Sequence, residues 1–338
     1  MTGGMPLRKM QQLARDASAS GHTGLVVTES GRTAYLSCAA AALAAEIDLL
    51  TGVAVAFPRS PMVTASIAWE LADVSQGRFR LGLGTQVRAH IERRYGVEFE
   101  HPGPRLRDYV GAVRAAFAAF RGDAALDYHS DHYELTLLPA IWSPGPISVP
   151  DPPIDIAAVN PWMLRLAGSI ADGVHIHPLN TSPYFDEIVK PELAEGARRA
   201  GRDLGAFEVI APAFVAVGDR DEERAPWREM ARTQVGFYGS TPNYAFVFEQ
   251  LGHPGTTEAL RERQKAGDLA GMADVITDDI LRHFLSEGTW STIGDVLAER
   301  YGGRATRVVD YFGTLAWRQD PAHLERWRPV VAELAELT

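Results

Sequence analysis

The sequence predicts an α/β fold built on parallel strands, either a (β/α)8 barrel or an open doubly wound sheet. Three observations predict it. Short apolar strands alternate with helical stretches along almost the whole 338-residue chain. The strands lack every-second-residue polarity, as expected of strands covered on both faces. No repeat or low-complexity linker divides the chain, so one domain over 1–338, with insertions at about 123–153 and 239–290, is expected.

Leu7, Met10, Ala14 and Ala17 recur at three- and four-residue steps, predicting a helix over 7–19 that Gly21 ends. "GLVVTES" (24–30) reads as a buried strand. "AYLSCAAAALAAE" (34–46) reads as a helix of strong formers, with Thr33 as its cap. "LTGVAVAF" (50–57) is a strand of small and branched residues, and Pro61 opens a helix over 61–75. "RFRLGLG" (78–84) is a strand ending in glycines, and 106–122 is a long amphipathic helix. The rhythm breaks at 123–153, where "LDYHSDHYELT" reads as a hairpin turning at Ser130–Asp131 and "SPGPISVPDPP" as extended chain.

Strands resume at 154–159, 172–178, 207–218 and 307–313, and helices at 161–171, 183–201, 221–238, 292–302 and 321–337. Residues 239–290 read as mostly helical with no strand. Seven strands are clear. In a barrel an eighth would precede Leu7, where only "TGGMP" is available, so the first strand is expected to be short or missing.

Hydrophobic residues make up 46% of the chain and charged residues 22%, enough to bury a core. The formal net charge of −10 opposes non-specific nucleic-acid binding. Cys38 is the one cysteine; it cannot close an internal disulfide, and no Cys/His spacing suggests a metal site. A reduced, cytoplasmic setting is expected. The N-terminal residues show no apolar signal region, and no run of about 18 uncharged apolar residues could span a membrane. The expected partner is a small-molecule or peptide substrate. The 239–290 insert is where a homodimer contact or a substrate lid could lie.

In a barrel the chemistry sits at the carboxyl ends of the strands. Residues there are Glu29 to Arg32, Phe57 to Arg59, Gly84, Thr85 and Gln86 with Arg88 and His90 beyond, Asn160, and His175 with His177. Gly82-Leu83-Gly84-Thr85 leaves N–H groups free and lets a ligand approach closely, with Arg88, Arg93 and Arg94 nearby. That suits the phosphate or ribityl part of a flavin-like cofactor; it equally suits a tight turn. The segment is not a GxGxxG fingerprint. His175 and His177 share one side of a strand and could bind an anion or donate a proton, or be one buried and one rim histidine. Glu29 and Arg32 read as a polar pair at the pocket mouth or as an ordinary loop. Phe57, Tyr35 and Trp162 could wall a ring, although packing is the usual role. No Ser-His-Asp order or GxSxG elbow supports a hydrolase.

"GVAVAFPRSPMVTASIAWELADVSQGRFRLGLGTQVRAHIERRYG" (52–96) resembles the core signature of the bacterial luciferase-like superfamily, in the branch that uses the deazaflavin coenzyme F420. "VNPWMLRLAGSIADGVHIHPLNTSPYF" (159–185) resembles that branch's second signature, with weaker similarity at 207–218 and 233–244. The resemblance implies a (β/α)8 TIM barrel holding a deazaflavin or flavin at the strand ends. It also implies a non-prolyl cis peptide in the third strand, here at Gly52–Val53, whose bulge backs the central ring. It turns the Gly84–Thr85 segment into a cofactor cradle. Position by position it carries cofactor contacts onto Thr85, Gln86, His90, Val159, Asn160, His175 and His177.

Two departures matter. The family commonly has a histidine after its second strand, whereas "ESGRT" puts Arg32 there, followed by Thr33 in place of an acidic residue. An arginine cannot act as general acid–base near neutral pH, which counts against a sugar-phosphate or alcohol dehydrogenase. Arg32 would instead hold an anionic substrate or polarise a carbonyl. A short first strand would open one side of the pocket to a large substrate, such as a peptide or natural product. The expectation is an F420-dependent oxidoreductase exchanging a hydride at ring C5, in the direction of reducing an activated C=C or C=N bond. Arg32, His177 and Tyr35 are the catalytic candidates. An FMN-dependent monooxygenase of the same fold, and a barrel that binds a ligand without catalysis, are the other readings.

Overall fold

The apolar runs become parallel strands in the computed structural model, which describes residues 1–336. The strands are β1 (Gly24–Val27), β2 (Asp48–Thr51), β3 (Ala54–Val55), β4 (Phe79–Gly84), β5 (Tyr128–His129), β6 (Glu134–Leu135), β7 (Ile154–Ala157), β8 (Gly173–His175), β9 (Glu208–Val217), β10 (Leu285–Gly288) and β11 (Arg307–Asp310). The chain divides into two compact units. One comprises Thr2–His175 and Glu192–Glu208; the other comprises Met1, Ile176–Pro191 and the residues from Val209 onward.

In the first unit β1, β2, β4, β7 and β8 pair side by side, all parallel. The expected first strand is reduced to Thr2, whose N–H donates to Val26 O and whose carbonyl accepts from Thr28 N–H, each at 2.9 Å. The helix Leu7–Ala19 buries Met10, Leu13, Ala14 and Ala17, and Gly21 follows with φ +80°. Thr33 stands at the N-cap position of Ala34–Ala42, but its side chain makes no cap bond, contrary to the expectation. Ser60 does cap Pro61–Val74, accepting from Val63 N–H at 3.3 Å. The next helix, Pro102–Arg121, starts earlier than its apolar periodicity suggests because Pro102 serves its first turn as Pro61 does. These two helices meet where Trp69 stacks on Phe117 with centroids 5.5 Å apart. The hairpin of β5 and β6 turns through Ser130 and Asp131, as expected.

The second unit is built on β9. β11 pairs with its first half, Ile210 to Ala213, and β10 with its second half, Phe214 to Val217. β10 corrects the strand-free reading of 239–290. "LSEG" carries no apolar run to betray it. Its Ser286 is buried, and its Glu287 is held by Arg228 (Nε to Oε2, 3.0 Å) and Arg224 (3.2 Å). Phe214, Val235, Phe248, Leu260, Phe284 and Phe312 form the core here. The predicted helix over 183–201 is interrupted by a π-helical turn, Phe185–Val189. Among the described residues no helix is long and apolar enough to cross a membrane.

The feature that shapes the first unit is the gap between β2 and β3. β2 pairs with β4 only at Leu49 and Leu50, and β3 resumes against Leu83 and Gly84. Across the gap the Thr51 hydroxyl donates to Gly82 O (2.8 Å) and accepts from Gly82 N–H (2.9 Å). A side chain thus replaces a lost rung of the ladder. Thr51→Val keeps the shape but leaves both Gly82 groups buried without partners, so it should cost about 2–4 kcal/mol. Urea denaturation of the two proteins measures this, and equal midpoints would refute the bridging role.

Candidate functional site

The gap holds the Gly52–Val53 bond, which is cis, where the resemblance places it. Both residues are half-buried. The chain just beyond is gripped by Glu29 and Arg59. Glu29 Oε2 accepts from Val55 N–H (2.8 Å) and from Arg59 Nη1 (2.9 Å), and Arg59 Nη2 pairs with Oε1. Arg59 Nη1 also donates to Val55 O at 3.1 Å. Both polar groups of Val55 are therefore held by one buried ion pair. Burial works against the Arg59 charge, but the bonds and field of Glu29 prevail and raise its pKa. Its guanidinium lies 5.0 Å from the centroid of the Tyr35 ring. Tyr35 itself is buried, and desolvation raises its phenol well above the usual range.

Glu29 thus pairs with Arg59 and not with Arg32, the neighbour suggested by sequence. Arg32 is exposed and has no hydrogen bond or ion pair among the described residues. The loop that carries it is anchored: Arg94 Nη2 donates to Ser30 O at 2.6 Å, and Gly4 packs against the base of the Arg32 side chain.

His175, at the end of β8, is 7% exposed. Burial, helped by the charge of Arg80, pushes its pKa down to about 3, so the ring is neutral at pH 7. Among the described residues its Nε2 has no hydrogen-bond partner, and it lies 4.0 Å from Asp155 Oδ2. Asp155 is fully buried and takes a two-pronged bond from Arg80, Nε to Oδ2 at 2.9 Å and Nη2 to Oδ1 at 2.5 Å. Even so, burial raises the Asp155 pKa. A Cβ added at Gly52 would meet Val26 and the His175 ring; one at Gly82 would meet Thr51 O and the same ring. The space beside these two glycines is filled by the chain itself.

The turn after β4 differs. Gln86 adopts φ +57°, in the left-handed region that non-glycine residues rarely enter. Among the described residues, the N–H groups of Thr85, Gln86 and Val87 make no hydrogen bond. Three free donors next to a half-buried bulge fit an anionic group attached to a flat ring. Gln86 and His90 are exposed and Thr85 is half-buried. Across β7, Val159 is half-buried, and Asn160 caps Pro161–Ile170, its Oδ1 accepting from Met163 N–H at 2.9 Å. Its amide NH2 is left as its donor.

In the second unit His177 is half-buried among aromatic rings. Tyr244 stacks on it at 4.3 Å and Tyr238 meets it edge-on at 4.7 Å. Burial pushes its pKa down to about 3 as well. The two histidines therefore fall in different units. Sequence reasoning missed the Thr51 bridge, the Glu29–Arg59 grip and the Arg80–Asp155 pair, whose partners are 26 to 75 residues apart.

Residues 1–307 match the family model described as luciferase-like monooxygenase. The chain belongs to the luciferase-like monooxygenase family. An uncharacterized protein of Mycobacterium tuberculosis is 37% identical to this luciferase-like chain over 308 residues, 89% of this chain and 91% of the other. A 5,10-methylenetetrahydromethanopterin reductase of Archaeoglobus fulgidus is 30% identical over 270 residues, covering 78% and 76%. Among solved structures, the coenzyme F420 dependent tetrahydromethanopterin reductase of Methanopyrus kandleri matches 97% of this chain and 96% of its own, with a TM-score of 0.76 at 21% identity. The fold is the luciferase-like α/β barrel, which sets aside the open doubly wound sheet. The protein is a luciferase-like oxidoreductase.

Two predictions follow from the site's electrostatics. Glu29→Gln leaves Arg59 half-desolvated without its counter-charge and should cost about 3 kcal/mol in urea denaturation. Glu29→Gln combined with Arg59→Met should recover part of that loss; additive losses would show that the two side chains act separately. Both histidines have folded pKa values of about 3, below the ~6.5 of an unfolded chain. The unfolded chain takes up their protons first, so their contribution to stability falls as pH drops below about 6.5. Between pH 7 and 4.5 the urea midpoint of the native protein should therefore fall more steeply than that of His175→Asn. Equal slopes would mean that His175 is not held neutral.

Proposed function

We propose that this protein is an F420-dependent reductase acting on an activated C=C or C=N bond. The observation that carries the reading is the 30% identity, over 78% of the chain, to an enzyme named a methylenetetrahydromethanopterin reductase. The site's geometry agrees with it. Gly52 and Val53 back the ring, and Gly84 lets the chain pass close to it. The free N–H groups of Thr85, Gln86 and Val87 receive the cofactor's anionic part, with His90, Val159 and the Asn160 amide as further contacts. His175, neutral and enclosed, supports the bulge from its far side. A bound deazaflavin supplies the hydride. Arg32, exposed and without a hydrogen bond or ion pair among the described residues, holds an anionic group of the substrate, which we place among natural products or peptides. Tyr35 acts through Arg59, beneath whose guanidinium it lies.

The family's description as monooxygenase favours a second reading, an FMN-dependent oxygenase. Separate titrations of the protein with F420 and with FMN, followed by fluorescence, distinguish the two. Saturable quenching is expected with F420. A Cβ at Gly84 would collide with Val53, so Gly84→Ala should weaken F420 binding by about tenfold or more, ~1.4 kcal/mol. Saturation by FMN alone would overturn the cofactor assignment, and binding without turnover across candidate substrates would favour a ligand-binding barrel.

A further inference from the structure

The four residues His177-Pro178-Leu179-Asn180 form a turn whose hydrogen bonds decide which nitrogen of His177 carries the proton. Leu179 N–H donates to His177 Nδ1 at 3.1 Å. A nitrogen that accepts has no proton, so in the neutral ring the proton sits on Nε2. Tyr244 covers one face of the ring and Tyr238 approaches it edge-on. The Tyr238 hydroxyl is engaged by Tyr311, 2.6 Å away, and not by the imidazole.

The turn is held by Asn180, which is 1% exposed. Its Nδ2 donates to His177 O (2.9 Å) and to Pro212 O (2.8 Å), tying the turn to β9. Its Oδ1 accepts from Tyr301 OH at 3.2 Å, at the end of the helix Ile293–Tyr301. Every polar group of the Asn180 amide is thus used to fix the turn.

We propose that Asn180 is a positioning residue that holds His177 as the Nε2–H tautomer, so that the ring offers a hydrogen-bond donor at Nε2. The ionisable groups against the ring are the phenols of Tyr238 and Tyr244. Burial raises both, Tyr244 to about 12, so neither brings a charge to the imidazole near neutral pH. The ring then stays a neutral Nε2–H donor near neutral pH.

Long-range 1H–15N spectra of the full chain labelled at histidine test this, with the His177 signals assigned by their loss in His177→Gln. The native protein should show unprotonated Nδ1 and protonated Nε2, unchanged from pH 5 to 8. Asn180→Ala should give a mixture of tautomers and a titration moved towards ~6.5, the value of a free histidine. Tyr301→Phe removes only the hydroxyl on Asn180 Oδ1 and should shift the tautomers the same way by less; it decides the matter if Asn180→Ala does not fold. Three results would overturn the proposal: a native Nδ1–H tautomer, native titration near ~6.5, or unchanged tautomers in the folded variants. The cofactor titrations are read separately, so a failed F420 assignment and a failed tautomer assignment cannot be confused.

Discussion

A parallel sheet can release a strand from its neighbour only if something else satisfies the main-chain groups that are left behind. Here two side chains do so. The Thr51 hydroxyl takes both polar groups of Gly82, and the Glu29–Arg59 pair takes both polar groups of Val55. Between these two points the chain turns through Gly52 and Val53. The free N–H groups after Gly84 follow from the same arrangement. Val55 pairs with Gly84, Ala56 N–H takes the Gly84 carbonyl, and Gln86 then turns the chain out of the ladder.

Charge is distributed with the same logic. Buried ions are paired: Glu29 with Arg59, Asp155 with Arg80. Buried histidines are left neutral. Under the proposed function, ligand-facing tasks would fall to the backbone N–H donors after Gly84 and to the Arg32 guanidinium. Such a set can orient a ligand and tolerate developing charge. This is the chemistry expected of a protein that leaves the reactive step to a cofactor.

Much of the fold was legible because burial on both faces writes itself as Val, Leu, Ile and Ala runs. β1, β2, β7 and β9 announce themselves that way; β4, β8 and β11 show shorter apolar runs, and none of the residues of β11 is buried; β10, with Ser286 and Glu287 at its centre, shows none. Turn chemistry was legible at Gly21, Pro61 and the 130–131 hairpin, but Thr33 shows that a capping residue type does not guarantee a cap. The glycines of the site were seen, yet the reason for Gly82 lies in Thr51 and His175, 31 and 93 positions away. The sequence neighbour Arg32 obscured Glu29's real partner, Arg59. Asn180 carries no motif at all, since its role exists only through contacts with Pro212 and Tyr301.

The loop that bears Arg32 is fastened ahead of the residue and beneath its stem, while the guanidinium makes no hydrogen bond or ion pair among the described residues. Glu29 is locked into the buried pair, Ser30 is clasped by Arg94, and the stem of residue 32 rests on Gly4. Position 32 therefore behaves like a tool holder: the mount is rigid and the bit is interchangeable. Descendants of this chain can trade the guanidinium for another group without rebuilding the surrounding scaffold. Sequence change at position 32 is thereby uncoupled from the packing beneath it.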